Sequence, residues 1–239
     1  EEMLAHLDKA RAELQDLESR DQTIADDERA LALAEQETVT AAEALTVARR
    51  QTADRFAAEV MQQLAFLDMP GTVLDIAIEP TTLTASGGDK ITFLLAANAG
   101  EEAKPLARAA SGGELARIML AIKSVMAGAD DIDTLVFDEV DTGISGHAAR
   151  KVGIKLKETA AARQVLCVTH LAQIAAAADR QLLVRKEVQN DRTRTRVETL
   201  TGEARERELA RIISGEVTPA GMAAARDLLA RVEQDTARQ

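Results

Sequence analysis

Residues 111–114, Ser-Gly-Gly-Glu, constrain the fold of this chain most, because a strongly amphipathic helical pattern follows them directly. Apolar residues then recur on one helical stripe, at positions 115, 118, 119, 122, 125 and 126. The two glycines allow a ligand to approach closely, and the first amides of a helix have no internal hydrogen-bond partner. The segment predicts either a phosphate-binding helix start or a ligand-free capping box between Ser111 and Glu114.

A second Ser-Gly-Gly, at residues 86–88, lies in a different context. Apolar residues alternate on both sides of it, at 74, 76 and 78 and again at 91, 93 and 95. This period of two predicts two strands joined by a turn. Because no helix begins there, we predict no phosphate site at the second motif.

Two apolar runs farther along, at 134–137 and 164–168, predict strands buried on both faces of a mainly parallel sheet. Ligands of such sheets bind at the carboxyl ends of the strands, where this chain carries Asp138, Glu139 and His170. Asp138 can hold Mg²⁺, Glu139 can deprotonate a water, and His170 can donate a hydrogen bond to a phosphate. The alternatives are two solvated acids and a structural histidine cap.

In this order the segments resemble the C-terminal lobe of the heads of SMC-like ABC ATPases, most closely of members that act in bacterial DNA repair. The stretches that carry the resemblance are ASGGELARIMLAIK, TLVFDEVDTGISG, VLCVTHLAQIAAAAD and ELARIISG. The implied fold is α/β, of the P-loop NTPase class, with a long coiled-coil arm. Ala110 is a departure, because many ABC transporters carry leucine there.

The resemblance also implies roles for individual residues. It implies a signature motif that contacts ATP, a Walker B pair that holds Mg²⁺ and supplies the catalytic base, a nucleotide-contacting D-loop and a switch histidine. The corresponding residues are Ser111, Gly112, Gly113 and Glu114 for the signature, Asp138 and Glu139 for the Walker B pair, Asp141 within the D-loop 140–146, and His170 for the switch.

One ABC element is missing from this sequence. A P-loop requires Gly-x-x-x-x-Gly-Lys-Ser/Thr, and none of the eight lysines follows a glycine. We therefore expect the chain to supply half of a nucleotide site and to be inactive as an ATPase alone. Because the sequence begins inside an apparent helix, we also expect it to be the C-terminal part of a longer protein whose N-terminal lobe carries the P-loop.

The segment 1–55 shows the spacing of a coiled coil. Apolar residues recur every seven positions, at Met3, Ala10, Leu17, Ile24 and Leu31, and Leu7 and Leu14 fill the second seam position before Asp21 and Glu28 interrupt it. A helix through residue 55 would be about 80 Å long at 1.5 Å per residue, so it needs a partner strand. We predict a coiled-coil arm over 1–55 and the head lobe over 56–239; the alternative is one amphipathic helix packed locally.

Charge and composition restrict the partners. The net charge of −11 is concentrated in the arm, since residues 1–60 hold 15 acidic and 7 basic residues. A predicted hairpin, strands 182–188 and 192–200, carries bases that could contact DNA phosphates or simply protect a solvated edge: Arg185, Lys186, Arg192, Arg194 and Arg196. No apolar run reaches transmembrane length. The single cysteine, Cys167, is predicted to pack in the core, and two helices are predicted after residue 205.

The resemblance implies an ATP-binding and ATP-hydrolysing protein of DNA double-strand break repair and recombination. Its implied ligands and partners are ATP, Mg²⁺, DNA, the missing N-terminal lobe and arm, and a second head, with ATP held between the two heads. The implied location is the cytoplasm, at the nucleoid. Two alternatives stay open at this point: the ATPase subunit of an ABC transporter, and a coiled-coil scaffold without catalysis.

Overall fold

The computed structural model describes residues 2–98, 100–109, 111–189 and 192–236. The chain divides into two compact units. The first comprises residues up to Ala53 together with Ala77–Thr92, and the second comprises Asp54–Ile76 together with the chain from Phe93 onward. The predicted division into an arm, residues 1–55, and a head lobe, residues 56–239, concerns function rather than compactness, and it stays a prediction.

The first unit contains most of a long helix, α1 (Glu2–Phe66), which has 65 residues and therefore measures about 100 Å at 1.5 Å per residue. The seven-residue apolar repeat lies on this continuous helix, and it is solvent-exposed, with Leu17 57% and Leu31 60% exposed. An exposed apolar stripe of this length favours a partner helix over solvent. The helix runs without a break through residue 55, the predicted boundary between arm and lobe, and stops at Phe66.

The tip of a β-hairpin completes the first unit. Strands β1 (Val73–Thr84) and β2 (Gly87–Ala96) are neighbours in one sheet, joined by a turn as predicted. The turn consists of Ala85 and Ser86, and the two glycines of the second Ser-Gly-Gly open β2. The Asp89 carboxylate accepts hydrogen bonds from Thr46 Oγ1 at 2.8 Å and from Arg49 Nη1 at 2.9 Å. The hydrogen bond from Arg49, and further bonding from Thr46, outweigh the effect of burial and hold the pKa of Asp89 below its ordinary value.

The second unit is a mixed α/β lobe. A short strand, β3 (Lys104–Pro105), pairs antiparallel with β2, and the strands β4 (Thr134–Phe137) and β5 (Gln164–Cys167) pair in parallel. The remaining elements are the helices α2 (Leu106–Ala109), α3 (Gly112–Val125), α4 (Gly146–Ala160), α5 (Ala172–Ala177), α6 (Gly202–Ser214) and α7 (Pro219–Thr236), and the strands β6 (Gln181–Gln189) and β7 (Arg192–Leu200).

The prediction that β4 and β5 are buried on both faces is wrong. Leu135 and Phe137 are buried in a cluster with apolar side chains of α3 and α4, but Val136 of β4 is 67% and Leu166 of β5 is 44% exposed. The physical reason is that these helices supply apolar side chains to one face of a two-stranded sheet. An apolar run indicates that both faces of a strand can be buried. Whether both faces are buried depends on the helices that pack against the sheet.

The C-terminal elements follow the sequence closely. Helix α6 ends at Ser214 and is capped by Gly215, which has the left-handed φ of 78° that favours glycine at this position. Helix α7 begins at Pro219, and the Thr218 hydroxyl accepts a hydrogen bond from the Gly221 amide at 3.0 Å. The predicted helix pair is thus confirmed, although α6 starts at residue 202 rather than 205.

The predicted basic hairpin is also confirmed. Strands β6 and β7 pair antiparallel, with Arg185 directly opposite Arg196. The predicted turn residues Asn190 and Asp191 lie outside the described residues, as do Ala110 and the side chain of Arg192. Among the described helices, none is both long enough and apolar enough to cross a membrane.

Candidate functional site

The start of α3 has the geometry of a capping box. Ser111 is the N-cap residue, with extended backbone, and its amide donates to Glu114 Oε2 at 3.2 Å. The Ser111 side chain faces the Glu114 backbone amide, as in a capping box, and the residue is exposed. The Glu114 carboxylate therefore stabilises the turn, while the Ser111 hydroxyl is accessible to a ligand.

The two glycines of the turn contact the loop that follows β4. The Glu139 carboxylate occupies the space where a side chain at Gly112 would begin. A Cβ atom at Gly113 would lie 2.7 Å from the Thr142 carbonyl oxygen and 2.8 Å from Thr142 Cβ. Thus the glycines allow α3 to approach its own loop, a structural reason that the sequence interpretation did not include.

This packing leads to a prediction for Gly113→Ala. The new methyl group would meet the carbonyl oxygen and the Cβ of Thr142, which cannot move without the loop backbone. The chain should therefore lose about 1–3 kcal/mol of stability, the usual cost of overpacking. Alanine is the better helix former, so without the contact the change would be neutral or stabilising. Urea unfolding of the chain measures the difference.

Gly88→Ala is the matched control. A Cβ at Gly88 would lie 3.6 Å from Leu83 Cδ1, an ordinary contact. Its free energy of unfolding should stay within about 0.5 kcal/mol of the original chain. Equal stability of the Gly113 and Gly88 variants would contradict the close approach of α3 to Thr142.

A buried arginine also holds α3 against the loop that follows β4. Arg117, on α3, is 6% exposed, and its Nη1 donates to the carbonyl oxygens of Thr142 at 2.8 Å and Val140 at 3.4 Å. Burial lowers the pKa of Arg117, while the charge of Glu114 partly opposes the shift. Nothing in the sequence around Arg117 indicates this role, because the role depends on carbonyl groups in a different element, the loop after β4.

The two acids after β4 stand at the exposed end of that strand. Asp138 Oδ1 accepts a hydrogen bond from the Glu139 amide at 2.9 Å, and both side chains are exposed. Glu139 has a φ of 59°, in the left-handed region. That conformation costs a residue other than glycine about 1–2 kcal/mol. Strained residues of this kind concentrate at functional sites, so the strain marks Glu139 as a candidate.

The predicted D-loop and switch residues contact each other. Asp141 Oδ2 accepts hydrogen bonds from Thr169 Oγ1 at 2.6 Å and from the His170 amide at 2.8 Å, and it lies 2.9 Å from His170 Nδ1. Burial acts to raise the pKa of Asp141, but the hydrogen bonds from Thr169 and His170 and the charge of His170 outweigh it and lower the pKa. The carboxylate predicted to contact the nucleotide thus faces protein donors.

Cys167, at the end of β5, lies near the same acids. Burial, and then the charges of Asp141 and Asp138, raise the pKa of its thiol to about 12. The thiol therefore stays protonated and unreactive at neutral pH. It packs against the core cluster, which agrees with the interpretation of Cys167 as a packing residue.

The acids fit a magnesium ion held jointly with a nucleotide. Within the described ranges, no three His, Cys, Asp or Glu side chains converge in a way that could hold a metal. Mg²⁺ in phosphate sites takes one or two carboxylates, with phosphate oxygens and waters as its other ligands. Asp138, exposed at a strand end beside Glu139, matches that donor set.

Comparison with known proteins gives a consistent result. No protein-family profile matches the chain. It is 46% identical over 188 residues to the DNA repair protein RecN of Streptomyces coelicolor, covering 73% of this chain and 33% of that protein. It is 34% identical over 251 residues to the RecN of Bacillus subtilis, covering 98% of this chain and 44% of that protein. The chain therefore spans less than half the length of these relatives.

A solved structure shows the same fold. The Smc head domain of Pyrococcus yayanosii, determined with a coiled coil and joint, has a TM-score of 0.52 and 24% identity, covering 69% of this chain and 30% of that one. At this identity the likeness concerns the fold alone. The predicted fold, an ABC-type head lobe with a long helix before it, is confirmed.

Proposed function

Because this chain belongs to the RecN family of bacterial DNA repair proteins, we propose that it forms half of the ATP-hydrolysing head of an SMC-like protein of double-strand break repair. The observation that carries the proposal is the contact between the start of α3 and residues 139–142. It brings the Ser-Gly-Gly turn and the strand-end acids into one surface. The contact of Asp141 with His170 adds the end of β5 to that surface.

Within this surface the residues take separate chemical roles. Asp138 would hold Mg²⁺, which neutralises charge on the phosphates when it is bound. Glu139 accepts the proton of the attacking water, and His170 donates a hydrogen bond to the γ-phosphate. These roles match the exposure of all three side chains.

The Ser-Gly-Gly turn serves a second head in this proposal. The chain has no P-loop, so the β- and γ-phosphates of its own ATP would be held by the N-terminal lobe. Ser111 is exposed at the first amides of α3, the position from which a helix start contacts phosphate. We place that phosphate on an opposing head, with ATP between the two heads and hydrolysis coupled to their association.

Two further partners are proposed, an N-terminal arm and DNA, and they are supported by the long helix and by the names of the relatives. The exposed apolar stripe of α1 would pair with the N-terminal arm in an antiparallel coiled coil. The relatives are DNA repair proteins, so DNA ends are the proposed substrate of the assembled protein, at the bacterial nucleoid in the cytoplasm.

The half-site proposal predicts that the purified chain hydrolyses no ATP, because the lysine and amides of a P-loop are missing. Adding the separately purified N-terminal lobe and arm of the same protein should restore turnover, which a phosphate-release assay measures. The control is Asp131→Asn, a change at an exposed acid before β4. Its turnover should be restored to the same level as that of the original chain. Turnover by the isolated chain that Glu139→Gln abolishes would refute the half-site.

A further inference from the structure

One carboxylate oxygen connects the loop after β4 to the histidine after β5. Asp141 Oδ2 accepts from the Thr169 hydroxyl and the His170 amide, and it lies 2.9 Å from His170 Nδ1. The Asp141 side chain is 5% exposed, whereas the His170 side chain is 73% exposed. The imidazole is therefore held at its Nδ1 edge, and the ring nitrogen left for an external partner is Nε2.

We propose that Asp141 is the positioning residue of His170, holding the proton on Nδ1 so that Nε2 is presented to the phosphate. The proposal rests on the function proposed above for His170. It assigns Asp141 a role different from the nucleotide contact expected of the D-loop, because its carboxylate is already bonded to Thr169 and to the His170 backbone.

The protonation of the ring follows from this contact. In neutral imidazole, a proton on Nδ1 leaves Nε2 as an acceptor, which cannot donate to a phosphate oxygen. A second proton, taken from solvent at the exposed edge, turns Nε2 into a donor while Nδ1–H stays on Asp141. The pair can thus present a cationic donor to the phosphate.

The neighbouring groups do not compete for the Nδ1 proton. The Thr169 hydroxyl donates to Asp141 Oδ2 and accepts from the Leu171 amide at 3.1 Å, so it is committed to the loop. The Cys167 thiol stays neutral, because burial and then the charges of Asp141 and Asp138 raise its pKa to about 12. Among the described residues, Asp141 is the anion that lies within ion-pair distance of the ring, at 2.9 Å from Nδ1.

The tautomer of His170 tests the proposal directly in the chain itself. The sequence has three histidines, and His6 and His147 are exposed, so they are internal references. Nitrogen-15 NMR of the rings, recorded at a pH where they are neutral, should show His170 protonated on Nδ1 and the references mainly on Nε2. His170 protonated mainly on Nε2 would overturn the proposal without any variant.

Two variants separate the hydrogen bond from the charge. Asp141→Asn keeps an oxygen acceptor and should keep the Nδ1–H form. Asp141→Ala removes the acceptor and should give His170 the same tautomer mixture as His6. If the alanine variant is folded and its His170 spectrum is unchanged, another group holds the ring and the proposal is wrong.

A kinetic cycle in the complete protein separates this role from the function of His170. If Asp141 acts through the ring, Asp141→Ala combined with His170→Ala should turn over no more slowly than His170→Ala alone. If the double variant instead loses turnover by the product of the two single-variant factors, Asp141 does not act through His170 and the positioning role is wrong. Normal turnover of His170→Ala would instead contradict the proposed function of His170, and the NMR result would still decide what holds its ring.

Discussion

Replacing Glu139 with glutamine is expected to lower ATP turnover of the complete protein by about 10²–10⁴-fold, the usual contribution of a general base. Glutamine keeps the shape and the hydrogen-bonding capacity of the side chain but cannot accept the proton of the attacking water. ATP binding should survive, because the metal ligand Asp138 is unchanged. Losing a negative charge near the triphosphate should also prolong the ATP-bound, associated state of the heads.

The local structure makes this an informative substitution. Glu139 is exposed and its side chain lies against Gly112 without filling the core. Glutamine has the same backbone preferences as glutamate, so the substitution does not relieve the strain of the left-handed conformation at position 139. We therefore expect the free energy of unfolding of the chain to change little, and a loss of turnover would report chemistry rather than folding.

Asp138→Asn should behave differently from Glu139→Gln. The asparagine oxygen can still accept the hydrogen bond from the Glu139 amide, but the charge that holds Mg²⁺ is lost. Nucleotide binding itself should weaken, and the weakening should depend on Mg²⁺. Measuring turnover, Mg²⁺-dependent ATP affinity and ATP-induced dimerisation on both variants, with Asp131→Asn as the control, separates the two roles. Near-normal turnover of Glu139→Gln would exclude it as the base.

The parts of the site that local sequence determines could be predicted. Helix α3 begins at Gly112 after Ser111 because an N-cap serine, an acid three positions later and an apolar stripe all lie within one segment. Likewise, the Asp138-Glu139 pair follows an apolar strand in the sequence and in the structure. Each of these signals is contained in a single short stretch of chain, so no tertiary information was needed.

The links between those parts could not be predicted. Arg117 reaches from α3 to Val140 and Thr142 in the loop after β4, and Asp141 reaches from that loop to His170 after β5. A single sequence gives no signal for such distant pairs, because any polar side chain near the site could have formed them. The prediction of nucleotide contact for Asp141 followed a motif, whereas tertiary packing decides which way its carboxylate faces.

The prediction of burial for the β4–β5 pair was wrong for a related reason. Apolar residues at 134–137 are compatible with burial on both faces, and the pattern contains no information on how many layers are present. In β4, Leu135 and Phe137 find partners on α3 and α4, whereas Val136 faces solvent. Burial is a property of the whole arrangement, so an element can be predicted correctly and its surroundings incorrectly.

Replacing Ser111 with arginine should abolish ATP-dependent dimerisation of the complete protein while leaving ATP binding to each head nearly intact. Ser111 is exposed at the start of α3, so the larger side chain can extend into solvent in an isolated head. In the proposed dimer the same space is filled by the phosphates of an opposing head. A long side chain there separates the two surfaces.

The chain contains a matched control for this substitution. Ser86 is also an exposed serine before two glycines and an acid, but it lies in the turn between β1 and β2. Ser86→Arg should therefore dimerise normally, which rules out a general effect of added charge. The most sensitive comparison combines each serine variant with Glu139→Gln, which is expected to hold ATP without hydrolysing it. Light scattering with ATP then measures dimer formation by the two double variants. If Ser111→Arg forms dimers as readily as Ser86→Arg, the Ser-Gly-Gly turn does not contact an opposing head, and its glycines serve only the packing of α3 against residues 139–142.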